Sequence, residues 1–138
     1  AEIVGTYEMA YKEEGLEVGE NILQGHDDVN LVVGINDQST CGVYEAFKAA
    51  GLENNNIGMF GIDGTDEAIY YIANDTMFKG TYYISANDVG IQLVQKGIEL
   101  MKNGGTEGGE KEVAYWTPEK ITADNAEDYK EIWEDLEK

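Results

Sequence analysis

Short strand-like runs alternate with amphipathic stretches from one end of the chain to the other. Glu2–Met9, with Ile3, Val4 and Tyr7, reads as a short strand. Glu13–Gln24 reads as a helix, because Leu16, Val18, Ile22 and Leu23 form an apolar stripe. Gly25-His26-Asp27-Asp28 is a turn. Val29–Ile35 is nearly all apolar, which predicts a strand buried on both faces, as in a parallel sheet. Asn36-Asp37-Gln38-Ser39 supplies N-cap candidates for a helix carrying Val43 and Phe47, with a stop near Gly51.

The pattern then repeats. Ile57–Ile62 reads as a second buried strand, Glu67–Ala73 as a helix with Ile69 and Ile72 inward, and Phe78–Ser85 as a strand rich in Thr and Tyr. Asn87 is the expected cap of the longest helix, about Asp88–Lys102, where Gly97 offers a close-packing position. Gly104–Gly109 lacks a following Gly-Lys-Ser/Thr and is a flexible loop, not a phosphate loop. Glu112–Trp116 reads as a last strand, and Ala126–Leu136 as a terminal helix with Tyr129, Ile132, Trp133 and Leu136 on one face. Strands alternating with helices predict an α/β fold with a mostly parallel open sheet flanked by helices.

Charge changes the picture more than size does. The chain has 138 residues, enough to bury a core without disulfides or metals. Nine basic residues stand against 28 acidic ones, a net charge of −19. Such a surface repels phosphate backbones and anionic lipid, so no nucleic-acid partner is expected; its simplest consequence is solubility. A single cysteine, Cys41, cannot form an internal disulfide and reads as a small buried hydrophobe. No apolar run reaches the length of a membrane span, and no signal peptide is visible. The chain opens on Ala1 with strand-like sequence almost at once, and is expected to be a fragment or a processed product.

Candidate chemistry follows from topology. In an open parallel α/β sheet, ligands bind outside the carboxyl ends of the strands. Those ends fall near Glu8-Met9, at Asn36-Asp37, at Asp63 and near Ile84-Ser85. A carboxylate accepts two hydroxyl hydrogen bonds, and a primary amide both donates and accepts, so Asp63 and Asn36 together could read neighbouring hydroxyls of a sugar. Either could equally be a simple helix cap. Gly61-Ile62-Asp63-Gly64-Thr65 approximates a phosphatase signature, but Gly61 stands where that chemistry needs a nucleophilic Asp. His26 lies at the amino end of a strand, away from the expected cleft, and reads as structural. No metal, cofactor or catalytic motif is found, and no enzymatic activity is expected. Tyr70, Tyr71, Tyr82 and Tyr83 could stack on a sugar, but such residues more often serve core and surface.

The ordered set of motifs resembles the second lobe of sugar-binding type I periplasmic-binding-protein-like receptors. It runs Gly15-Leu16, Asn21-Ile22-Leu23, His26-Asp27-Asp28-Val29, Asn36-Asp37, Gly42, Ala46 and Ala50-Gly51. Gly61-Ile62-Asp63-Gly64-Thr65 is similar to the family's Gly-Phe-Asp-Gly-Thr motif. Thr81 to Gly90, and Thr117-Pro118 with Ile121-Thr122-Ala123-Asp124-Asn125-Ala126, resemble its later segments. The resemblance covers nearly the whole chain as the C-terminal portion of a two-lobed protein. It implies a second-lobe core over residues 1–84, a first-lobe helix and loop over 88–109, and a hinge-recrossing strand with the terminal helix over 110–138.

The resemblance also implies ligand-binding positions: Asn36 and Asp63 as hydroxyl partners, Ile62 before the Asp, Ile84 at the hinge-side position, and Ala10 with Tyr11 at the aromatic position after the first strand. Ile84, Ala10 and Ile62 depart from the family's usual polar or aromatic residues, which points to a less polar or larger solute than an ordinary hexose or pentose, or to a degenerate pocket. The implied function is solute binding, of a sugar or sugar-like molecule, as the extracytoplasmic receptor of an ABC importer with a permease partner, in the periplasm or as a cell-surface lipoprotein. The effector core of a LacI-type transcription regulator and an extracellular sensor domain share the fold. A lobe lacking its opening strand–helix unit leaves sheet edges open, so self-association is expected.

Overall fold

The computed structural model describes residues 2–26, 28–53, 56–74, 76–105 and 117–133. The chain divides into two units, one of Ala1–Tyr83 with Glu119–Lys138 and one of Ile84–Pro118.

In the first unit the elements run α1 (Lys12–Gly25), β1 (Leu31–Val33), α2 (Asp37–Ala49), β2 (Gly58–Phe60), α3 (Asp66–Ala73), β3 (Phe78–Tyr83) and β4 (Glu119–Thr122). A 3-10 turn at Ala126–Tyr129 and a short helix, Lys130–Trp133, follow. The strands form one sheet in the order β1-β2-β3-β4. β1, β2 and β3 are parallel, and β4 runs antiparallel to β3. The fold is therefore α/β with a mostly parallel open sheet, as the alternation of patterns predicts. Met59 pairs with Phe78 but Phe60 with Gly80, so Lys79 is an extra residue that bulges β3.

The core lies on one side of the sheet. Val32, Met59, Phe78 and Ile121 are buried there against Val43, Phe47, Ile69 and Ile72 from α2 and α3. Helices α1 and α2 approach through glycines. A Cβ on Gly15 would stand 2.0 Å from the Ser39 carbonyl oxygen, and one on Gly42 would stand 2.1 Å from that of Lys12. Helix α2 ends as expected: Gly51, at φ +79°, takes the left-handed position that releases the chain.

Several expectations are corrected. The run Val29–Ile35 is not buried on both faces: Val32 is buried, but Leu31 is 50% and Val33 73% exposed. β1 is an edge strand whose outer face meets no helix among the described residues, so the apolar run covers only one side. Phe60 and Ile62, each 39% exposed, show the same one-sided burial at β2. Glu2–Met9 forms no strand, because the described sheet offers its backbone no partner; residues 2–8 lie exposed. A strand forms at Glu119–Thr122, where none is expected, and the anticipated strand Glu112–Trp116 lies outside the described residues. Much of the expected helix Ala126–Leu136 begins as a 3-10 turn, and residues beyond Trp133 are likewise outside the description.

The second unit contains α4 (Ala86–Lys102). Its cap is Ser85 and not Asn87: the Ser85 hydroxyl accepts the Asp88 N–H at 3.2 Å, so the helix starts earlier than the sequence suggests. Ile91, Val94, Ile98 and Met101 are exposed on it. No helix of the described residues is long and apolar enough to cross a membrane.

Candidate functional site

The carboxyl ends of β1 and β2 are stitched together and carry the candidate residues. The Gly34 N–H donates to the Phe60 carbonyl at 2.9 Å, and the Asp37 N–H to the Ile62 carbonyl at 2.7 Å. These two bonds bring Asn36 beside Ile62-Asp63, at the mouth where helices α2 and α3 begin.

Asn36 is the N-cap of α2. Its Oδ1 accepts the Ser39 N–H at 2.9 Å and the Ser39 hydroxyl at 2.8 Å. Its Nδ2 donates to the Ala10 carbonyl at 2.9 Å, which leaves one amide N–H uncommitted. The same bond draws in Ala10 and Tyr11, whose backbone N–H groups donate to Glu14 Oε2 at 2.7 and 3.2 Å. Tyr11 is 63% exposed at the start of α1. Asn36, Ala10, Tyr11, Ile62 and Asp63 thus share one pole of the first unit. Ile84 belongs to the second unit, where it is 38% exposed.

Asp63 is not a helix cap; Thr65 caps α3 by accepting the Ala68 N–H at 3.4 Å. Asp63 instead has φ +122°, the single non-glycine residue with positive φ among the described residues. Side chains rarely adopt this region, and such outliers concentrate at functional sites. The Asp63 N–H donates to the Tyr82 carbonyl at 2.9 Å, and an isolated bridge joins Asp63 to Tyr83. Its side chain is exposed. Partial burial still pushes its carboxyl above the ordinary range, against the pull of the Asp37 backbone N–H.

The group that composition and pattern do not single out is Asp37, expected only as a cap candidate. Its side chain is fully buried. Oδ2 accepts the Thr65 N–H at 2.8 Å and Oδ1 accepts the Thr81 hydroxyl at 2.8 Å. The Thr81 oxygen in turn accepts the Gly64 N–H at 3.2 Å. Burial raises the Asp37 carboxyl, opposed by the bonds from Thr65, Thr81 and Gly64, while the charge of Asp63 raises it further. One clue in the sequence was the glycine at position 61, whose place beside Asp37 only the fold reveals.

Tyr83 is half-buried, edge-on to Tyr129 at 5.8 Å between ring centroids, and Tyr82 is 46% exposed. Tyr71 is buried and stacks on Tyr44 at 4.1 Å, a core role. Cys41 is also buried, and burial pushes its thiol up, away from reactive thiolate character. At the opposite pole, the amino ends of β1 and β2 line a cavity of about 280 Å³ with Leu23, His26, Val29, Asn30, Phe47 and Ile57. His26 closes the end of α1 there, its N–H donating to the Ile22 carbonyl at 2.8 Å, far along the strands from Asp63.

In open, mostly parallel α/β sheets the crevice beyond the carboxyl ends of the strands is the usual place for a ligand, and the carboxylate of Asp63 and the amide of Asn36 stand at that pole. Residues 2–106 match the family described as Periplasmic binding protein domain, and the chain belongs to that family. It is 39% identical over 56 residues to the Ribose import binding protein RbsB of Bacillus subtilis (strain 168), a stretch covering 41% of this chain and 17% of that protein. Among solved structures, it is similar to the periplasmic binding component of the arabinose ABC transporter from Shewanella sp. ANA-3, bound to alpha- and beta-L-arabinofuranose. That likeness has a TM-score of 0.73 at 21% identity and covers 92% of this chain and 42% of the other. An ABC transporter solute-binding protein from Bacillus halodurans C-125 with bound myo-inositol matches at TM-score 0.74 and 24% identity, over 89% of this chain and 40% of that one. The chain therefore spans less than half the length of these proteins.

Proposed function

We propose that this chain is part of a receptor that binds a polyhydroxylated solute, a sugar or a cyclic polyol, at the pole carrying Asp63 and Asn36. The observation that carries the reading is the Asp63 side chain: a carboxylate held out at a strand end, on strained backbone, without serving as a helix cap. An ionised carboxylate only accepts hydrogen bonds, and Asn36 has one N–H left to donate. A solute that satisfies both presents two hydroxyl donors next to one hydroxyl acceptor, which neighbouring ring hydroxyls do. The relatives' described ligands, arabinofuranose and myo-inositol, have this character.

The wider reading is an extracytoplasmic receptor of an ABC importer, with a permease as partner. It is supported by the family and by the relative that serves ribose import. Within that reading residues 88–109 belong to the first lobe, and Ile84 takes the hinge-side position at the end of the second-lobe core. Ile62 and Tyr11 supply the apolar wall. The outer edge of β1, the end strand of the described sheet, supports self-association by strand pairing with a second copy; a light-scattering mass equal to one chain at high concentration would oppose it.

The test is a thermal-shift and calorimetric panel of pentoses, hexoses, polyols and cyclitols, with Asp63→Ala as control. A stabilising solute whose effect disappears in the variant supports the reading. Equal binding by the variant overturns the role of Asp63, and no hit across the panel overturns polyol binding by this chain.

A further inference from the structure

We propose that Asp37 is the positioning residue of this site: its buried carboxylate holds the turn Asp63-Gly64-Thr65 in the backbone shape that presents the Asp63 side chain to solute. The proposal rests on the reading of Asp63 as the solute-binding carboxylate.

A residue at φ +122° returns to an ordinary conformation unless its surroundings hold it. Three fastenings do so here. The Asp63 N–H is bonded to the Tyr82 carbonyl at 2.9 Å. The Thr65 N–H is bonded to Asp37 Oδ2 at 2.8 Å, and the Gly64 N–H to the Thr81 hydroxyl oxygen at 3.2 Å. The last also depends on Asp37. A threonine hydroxyl has one proton and can turn; with that proton given to Asp37 Oδ1 at 2.8 Å, a lone pair is aimed at Gly64. Two of the three fastenings therefore run through one carboxylate.

Asp37 is fully buried and cannot touch a solute itself. It has a built seat, since a Cβ on Gly61 would stand 2.2 Å from its Oδ1. Ionisation is what lets both oxygens accept. An asparagine at this position has one acceptor oxygen; with that oxygen on the Thr65 N–H, its NH₂ faces the Thr81 hydroxyl, whose proton then has no acceptor there and no longer fixes a lone pair on Gly64.

The experiment compares the full chain with Asp37→Asn, Thr81→Val and Thr81→Ser. The three-bond HN–Hα coupling of Asp63 reports its φ directly, amide exchange reports the Gly64 and Thr65 bonds, and calorimetry gives affinity for L-arabinose and myo-inositol. Asp37→Asn and Thr81→Val are expected to change the Asp63 coupling and to speed exchange at Gly64 or Thr65 by about tenfold or more. They are expected to weaken solute binding by about tenfold or more. Thr81→Ser, which keeps the hydroxyl, is expected to behave as the unaltered chain. Unchanged coupling and exchange in Asp37→Asn overturns the proposal. So does a loss of affinity with the Asp63 geometry intact, since Asp37 would then not act through the turn. If Asp37→Asn does not fold, Thr81→Val decides. If the unaltered chain binds neither probe, the solute reading fails, and coupling and exchange still decide whether Asp37 holds the turn.

Discussion

A Cβ placed on Gly61 would lie 2.2 Å from Asp37 Oδ1 and 3.1 Å from the Phe78 ring, so no side chain fits between the end of β2 and the buried carboxylate. Gly61→Ala must displace either Asp37 or the strand end. Overpacking of this kind costs about 1–3 kcal/mol. A urea-unfolding midpoint lowered to match is expected. Gly25→Ala is the control: nothing lies within 4 Å of its Cβ position, and a change of no more than about 1 kcal/mol is expected.

The same close approach governs α1 and α2. Gly42→Ala would put a methyl 2.1 Å from the Lys12 carbonyl oxygen, against backbone that cannot swing aside. The helices must separate, opening the core around Ile22, Val43 and Phe47. A loss of about 1–3 kcal/mol or more is expected. Thermal unfolding should show Gly42→Ala at least as damaging as Gly61→Ala.

Stability should depend on pH through Asp37 and Asp63. Both carboxyls are raised in the folded chain, chiefly by burial. A raised carboxyl binds its proton more tightly when folded, so its contribution is fully present below the unfolded value and is lost as pH rises through the folded value. Urea titrations across the acidic range should show the unaltered chain losing ground to Asp37→Asn as pH rises through the raised Asp37 value. Solute affinity should run the other way, weakening as falling pH protonates Asp63 and removes an acceptor.

Tyr71 ties α3 to α2 through its hydroxyl, and Glu67 extends the tie to α1. The Tyr71 hydroxyl stands 2.5 Å from Glu45 Oε1 on α2 and 2.9 Å from Glu67 Oε1 on α3, and Glu67 is ion-paired with Lys12 of α1. The two carboxylates share one phenolic proton, and Lys12 offsets the charge on one of them. Hydrogen bonds to charged groups contribute about 1.5–3 kcal/mol, so Tyr71→Phe should destabilise within or below that range, with the near-neutral packing of the ring on Tyr44 retained. Lys12→Met, at a partly exposed pair, should cost about 1 kcal/mol or less. Guanidinium unfolding of both variants separates the two contributions.

Much of the architecture was legible in the residue pattern. The 3.6-residue stripes of α1, α2 and α3 and the apolar runs at Leu31–Val33 and Gly58–Phe60 are local signals, and each element formed close to its expected place. That Glu2–Met9 forms no strand was not legible, because a strand exists only where a neighbouring backbone receives its hydrogen bonds. The antiparallel strand Glu119–Thr122 shows the converse: its sequence is half charged, yet β3 supplies a partner.

The sequence by itself determined the α/β class, the order of elements, and the polar residues at the strand ends, because these follow from periodicity and from which side chains can carry a hydrogen bond. Only the tertiary structure decided what those residues do. Asn36 and Asp63 look alike as strand-end polar residues, yet Asn36 caps a helix while Asp63 stands on strained backbone with its carboxylate outward. Asp37 reads as one more cap and is instead the buried hub of the turn, since its partners Thr65 and Thr81 lie 28 and 44 residues further along the chain. Such contacts have no local signature; they arise only when parallel strands bring distant ends of the chain to one pole.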